Sequence, residues 1–176
     1  MASALFAAQM EDSIDPVTVS SAGIHTGGRM PSSAPEPLLT VMDSYGIDLR
    51  GHRSQALTAD MLQGADLIVG MSRRHVQEAV LLDPPSWPTS FMLKELIRRG
   101  EPVGPRRPGQ SITSWIDRVH GDRTRSSLAR RSTADEVADP YGGTLDDYRS
   151  TAAELAVLTA GLINLLWPEG PDRPMD

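Results

Sequence analysis

The 176 residues contain no cysteine. This absence excludes disulfides, a thiolate zinc site and a cysteine nucleophile within this sequence. Long apolar runs are also missing, because the longest, residues 155–167, is interrupted by Thr159 and Asn164 and is too short to cross a bilayer. The first residues do not form a charged segment followed by an apolar one, so we expect no signal peptide and no membrane association. We therefore expect a cytoplasmic protein.

Positive charge is scarce as well. The 17 lysine and arginine residues against 23 acidic residues give a net charge of −6, which argues against nucleic acid as a partner. The histidines at His25, His75 and His120 have no metal-ligand spacing, so we expect neither a metal nor another cofactor. The polar segment 121–136 is predicted to be a mobile loop or the end of a helix. Its arginines, from Arg123 to Arg131, are predicted to be solvated, although they could attract a phosphorylated or acidic partner.

The chain length and the alternation of short apolar runs with helical patterns predict one α/β domain over residues 1–167, followed by a disordered tail at 168–176. Strands are predicted at 17–20, 66–71 and 90–93, the second of them a near-continuous apolar run typical of a parallel sheet. Helical periodicity and capping residues predict helices at 2–10, 37–45, 58–63, 73–82, 94–99 and 112–119, and a long one after Thr144. A loop is predicted between them at 100–110.

Four segments in order carry a family resemblance. They are VSSAG at 19–23, GIDLRGHRSQALT at 46–58, ADLIVGMSRRH at 65–75, and DPYGG at 139–143 before the long final helix. Together they resemble the low-molecular-weight protein tyrosine phosphatases, whose fold one class of arsenate reductases shares. The resemblance implies a doubly wound parallel sheet with helices on both faces.

The resemblance also implies a reaction. In that family a cysteine thiolate in a C-x5-R-S loop attacks a phosphate monoester and forms a phosphocysteine, which water then hydrolyses. The opening residues Met1 and Ala2 match the positions just after that loop. We therefore expect the internal first strand, the nucleophile and the phosphate-binding arginine to be missing from this sequence. Without that strand, the chain is expected to fold poorly or to leave a groove that accepts a strand.

Four site residues follow from the resemblance. Asp139 matches the general acid, and Tyr141 matches an aromatic residue that lines the mouth of the site and stacks on the substrate. Ser21 and His52 match a hydroxyl and an imidazole that hold the phosphate loop in shape. Without the resemblance, Asp139 would be a turn residue before proline, Tyr141 a half-buried loop aromatic, and Ser21 and His52 local caps or turn residues.

Three functions stay open at this point. The chain is a phosphatase whose functional polypeptide is longer, a non-catalytic binding module with the phosphatase fold, or, more weakly, an arsenate reductase-like protein. As given, it is predicted to be inactive toward phosphate monoesters. If the site were completed, its partner would be a phosphotyrosine protein or a small aryl phosphate. A bacterial tyrosine kinase or a polysaccharide-export component is a candidate.

Overall fold

The computed structural model describes residues 1–11, 13, 17–24, 32–129 and 132–168. The described residues form two compact units. The first contains those up to Ala56 together with Ala138–Asn164, and the second contains Leu57–Val137 and Leu165–Pro168. The single domain expected over 1–167 stays a prediction, and all but the first residue of the expected tail lie outside the described residues.

The described helices follow the predicted order. In chain order, α1 to α7 span Ala2–Gln9, Glu36–Asp43, Ala59–Gln63, Arg73–Leu82, Leu93–Val103, Ile112–His120 and Leu145–Leu166, with short 3-10 helices at Pro84–Thr89 and Arg125–Ala129. The predicted caps at Thr58 and Ser111 are confirmed, because each side chain accepts a hydrogen bond from a backbone N–H in the first turn. None of the described helices combines the length and the apolar character that a membrane crossing needs.

The sheet is short and parallel. Strands β1 (Ile68–Gly70) and β2 (Ser90–Met92) pair in register, with Val69 opposite Phe91. They lie inside two of the predicted runs, and α4 connects them, as expected for a βαβ unit. Gly70 meets α4 closely, since a Cβ there would lie 2.9 Å from the Cβ of His75. The described residues therefore build an α/β fold with a short parallel sheet and several helices, as predicted.

The strand predicted at 17–20 is wrong. Those residues have no ladder, and only Gly23, further along, forms an isolated parallel bridge with Ala56. The Gly23 N–H donates to the carbonyl of Gln55 at 2.9 Å. A run of β-branched residues has the propensity for a strand, but a ladder also requires a neighbouring strand along its whole length. Among the described residues, no such neighbour pairs with 17–20.

The loop predicted at 100–110 begins too early, because α5 continues to Val103. Gly100 lets the helix pass close to α6. A Cβ at that position would lie only 3.0 Å from the ring of Trp115, which is fully buried. The helix ends at Gly104, whose φ of +79° suits glycine.

Each unit has its own apolar core. In the first, α2 and α7 contribute Val41, Tyr148 and Ala152. In the second, buried residues of α4, the 3-10 helix that follows it and β2 pack together: Val76, Val80, Trp87 and Met92.

The prediction that arginines 123–131 are solvated is wrong for Arg123, which is buried at 8% exposure. Arg130 and Arg131 lie outside the described residues.

Candidate active site

Asp139 is the first residue of a tight loop that precedes α7. Asp139 is exposed, and its Oδ1 accepts a hydrogen bond from the Tyr141 N–H at 3.0 Å. The Gly143 N–H donates to the Pro140 carbonyl at 2.9 Å, and Gly142 has a φ of +78°. These local bonds are the Asx and β-turn contacts expected of a D-P-Y-G-G sequence, and they fix the orientation of the carboxyl group.

The base of this loop is held by a capping box. The N–H and the hydroxyl of Thr144 both donate to Asp147 Oδ2 at 2.7 Å, and the Asp147 N–H donates back to Thr144 Oγ1 at 3.3 Å. The hydrogen bonds from Thr144 lower the pKa of the Asp147 carboxyl. A Cβ at Gly143 would lie 2.7 Å from Asp147 Oδ2 and 3.0 Å from the Pro140 carbonyl oxygen, so a larger residue here would displace the Asp147 carboxylate. The predicted capping box is therefore confirmed.

An open depression of about 340 Å³ surrounds the loop. Its walls are the loop residues 138–143 and one face of α7, formed by Asp147, Ser150 and Thr151. The ring of Tyr141 is 81% exposed, so it is not the half-buried loop aromatic of the alternative interpretation. The structure thus brings two predicted site residues, Asp139 and Tyr141, to one depression.

Ser21 and His52 line a second depression of about 200 Å³. Gln55 lies between the two chain segments. The side-chain Nε2 of Gln55 donates to the Ser21 carbonyl at 2.9 Å, and the backbone carbonyl of Gln55 accepts from the Gly23 N–H. Both Ser21 and His52 are exposed. The VSSAG and GHRSQ segments, far apart in sequence, are therefore neighbours as the resemblance implies.

The four predicted residues fall into two pairs, since the two depressions share no lining residue. Polar lining residues that the sequence did not single out for the site are Ser54, Gln55, Asp147, Ser150 and Thr151. The lining residues on α7 could have been predicted from helical spacing. Asp147, Ser150 and Thr151 stand at i, i+3 and i+4 and therefore share one face of the helix. His25 lies outside the described residues.

Comparison with known proteins identifies a family for this chain. The family model described as low molecular weight phosphotyrosine protein phosphatase matches residues 1–98. The chain is 28% identical over 111 residues to the low molecular weight protein-tyrosine-phosphatase Etp of Escherichia coli K12, covering 63% of this chain and 72% of Etp. It is also 35% identical over 89 residues to the probable low molecular weight protein-tyrosine-phosphatase EpsP of Ralstonia nicotianae, covering 51% and 60% of the two chains.

Solved structures lead to the same fold. The low molecular weight protein tyrosine phosphatase from T. tengcongensis superimposes with a TM-score of 0.67 at 26% identity, covering 94% of this chain and 88% of that one. The family match covers more than half of the sequence. This chain belongs to the low molecular weight phosphotyrosine protein phosphatase family.

Proposed function

We propose that these residues supply the acid half of a phosphotyrosine phosphatase site, and that the 176-residue chain alone does not hydrolyse phosphate monoesters. One combination of observations carries the proposal. Asp139 stands in an open depression beside an exposed tyrosine ring, while the sequence contains no thiol that could attack phosphorus. The nucleophile would be the cysteine of a C-x5-R-S loop located outside these 176 residues.

The chemistry of the completed site assigns two proton transfers to Asp139. In the first step an S–P bond forms and the aryl P–O bond breaks, and Asp139 donates its proton to the departing phenolate oxygen. In the second step water attacks phosphorus, the S–P bond breaks, and the Asp139 carboxylate takes the proton of that water. The Tyr141 N–H engages Oδ1, which orients the carboxyl group and leaves Oδ2 to carry the proton.

The other three residues would bind the substrate or support the phosphate loop. The exposed ring of Tyr141 offers a face on which an aryl phosphate can stack. Ser21 and His52, which line their own depression, would hydrogen-bond to the phosphate loop and keep its N–H groups aimed at the anion. The substrate class is a phosphotyrosine protein or a small aryl phosphate.

The test compares two proteins on p-nitrophenyl phosphate: the 176-residue chain, and the same chain preceded by a strand and a C-x5-R-S loop taken from a family member. We expect no turnover from the first and turnover from the second. In the active protein, Asp139→Asn should lower kcat by about 10²–10⁴-fold.

Asp146→Asn is the matched control for that substitution, because Asp146 is exposed and pairs only with its helix neighbour Arg149 among the contacts described, at 2.9 Å. Its kcat should stay unchanged. An Asp139→Asn variant with the parental kcat would remove Asp139 from the mechanism.

A non-catalytic binding module is the second candidate. It is favoured by an open depression around Asp139 and Tyr141 in a chain that lacks any thiol. This candidate predicts that the extended protein folds but still fails to hydrolyse p-nitrophenyl phosphate.

A further inference from the structure

Arg123 is enclosed in the second unit. Its side chain is 2% exposed. The guanidinium carbon lies 3.8 Å from the ring centre of Phe91 and 4.2 Å from that of Trp87. Nε donates to Glu95 Oε1 at 3.0 Å, and Nη2 donates to the Ser90 carbonyl of β2 at 2.7 Å. A guanidinium is thus held between two aromatic rings, a carboxylate and the end of a strand.

His120 contacts Arg123 and both of these aromatic rings. Its Nδ1 lies 3.2 Å from Arg123 Nη1. Because a guanidinium has only donors, Nδ1 must be the acceptor, and the ring must be neutral with its proton on Nε2. The imidazole also packs edge-on against Trp87 and Phe91, at 5.6 Å and 6.4 Å between ring centres.

The charges around His120 oppose its protonation. Burial of the ring lowers its pKa most, and the nearby guanidinium groups of Arg123 and Arg99 lower it further. The carboxylates of Asp117 and Glu95 act in the opposite direction but do not reverse the shift. The pKa of His120 therefore lies below its ordinary value of 6.5, and the ring is neutral at pH 7.

We propose that His120 is an acid-sensitive latch on Arg123. Protonation of Nδ1 removes its hydrogen bond to Nη1 and places two positive charges next to each other. The Arg123 side chain is then released from its position between Trp87 and Phe91. Release uncovers the Ser90 carbonyl of β2 and loosens the turn at 121–124, which begins the segment leading to Asp139. Opening and protonation are therefore linked.

The direction of the pH dependence follows from this linkage. A histidine with a lower pKa in the closed form than in the open form binds its proton preferentially when the latch is open. The stability that the latch contributes is complete above about pH 6.5, the ordinary value, and is lost as the pH falls from there toward the lower pKa of the closed form.

Solvent exchange of the Arg123 Nε–H, followed by ¹⁵N-edited NMR on the full chain between pH 7.5 and 5, measures the opening. Base-catalysed exchange slows as pH falls, so faster exchange in acid can come only from opening. We expect the protection of this N–H to fall as the pH drops below about 6.5, the ordinary histidine value. Its midpoint should coincide with the titration midpoint of the His120 ring in the same sample.

Two variants separate the latch from general acid sensitivity. His120→Asn keeps a hydrogen-bond acceptor close to the position of Nδ1 but cannot titrate. In this variant the Arg123 Nε–H should therefore stay protected in acid. His75→Asn removes another histidine of the same unit, whose Nδ1 accepts from the Met71 N–H, and should behave like the parent protein.

The proposal is overturned if protection persists to pH 5 in the folded parent protein. It is also overturned if His120→Asn opens as the parent does, or if the two midpoints in the parent protein differ. The last comparison needs no variant.

Discussion

Replacing Arg123 by alanine tests whether this residue anchors the second unit. The substitution leaves the Glu95 carboxylate and the Ser90 carbonyl without their guanidinium donor and removes the group that fills the space between two rings. Removing one partner of a buried ion pair costs about 3–5 kcal/mol, and a desolvated cation–π contact is worth about 2 kcal/mol. These contributions overlap in one side chain and do not add fully, so we expect a loss of about 3–5 kcal/mol in the free energy of unfolding.

The assay is urea unfolding at pH 7.5, where His120 is neutral, followed by both circular dichroism and tryptophan fluorescence. Arg125→Ala is the matched control, because Arg125 is exposed and donates to the Pro84 carbonyl at 2.7 Å. It should cost no more than about 1 kcal/mol. If Arg123→Ala lowers the free energy of unfolding by no more than Arg125→Ala does, the buried contacts of Arg123 do not stabilise the second unit.

Two further substitutions test close packing and capping. Gly100→Ala places a Cβ 3.0 Å from the buried ring of Trp115, and overpacking of about 1–3 kcal/mol should outweigh a helix-propensity gain of about 1 kcal/mol. In contrast, Gly64→Ala, whose Cβ meets only a carbonyl oxygen at 3.5 Å, should be neutral or slightly stabilising in the same urea assay. Thr144→Ala should cost about 1 kcal/mol. Because the pKa of Asp147 is lowered in the fold, the loss caused by Asp147→Asn should be present at pH 7 and disappear as the pH falls below about 3.8, its ordinary value.

Elements with a local signal were predictable from the sequence. Thr144 and Asp147 form a capping-box pattern that predicts the start of α7. The apolar positions of this helix keep a helical period for the whole of Leu145–Leu166. The apolar run that contains β1 is read correctly because burial of a parallel strand on both faces leaves a continuous apolar stretch. The pairing of Ser21 with His52 in one depression came only from the family resemblance, since neither residue carries a strong signal alone.

Features that depend on distant partners were not predictable. The run at 17–20 has strand propensity, but a ladder depends on a neighbour that local sequence does not reveal. Arg123 lies in a polar, arginine-rich segment that reads as solvent-exposed, yet Trp87 and Phe91 from another part of the second unit enclose it. The close approach of Trp115 from α6 to Gly100 of α5 also joins two helices that the local sequence does not relate. The surroundings of Arg123 and of Gly100 are set by residues that are distant in the chain.

Hydrolysis of p-nitrophenyl phosphate by the purified 176-residue chain is the measurement that decides whether this sequence contains a nucleophile. Because the sequence contains no thiol, the proton donor that we propose at Asp139 has no nucleophile to assist, and we expect a rate equal to that of the buffer. The sample should be checked for contaminating phosphatase with an Asp139→Asn preparation made in parallel. Turnover above the buffer rate that Asp139→Asn abolishes would show that another group of this chain is the nucleophile, and our proposal would be wrong.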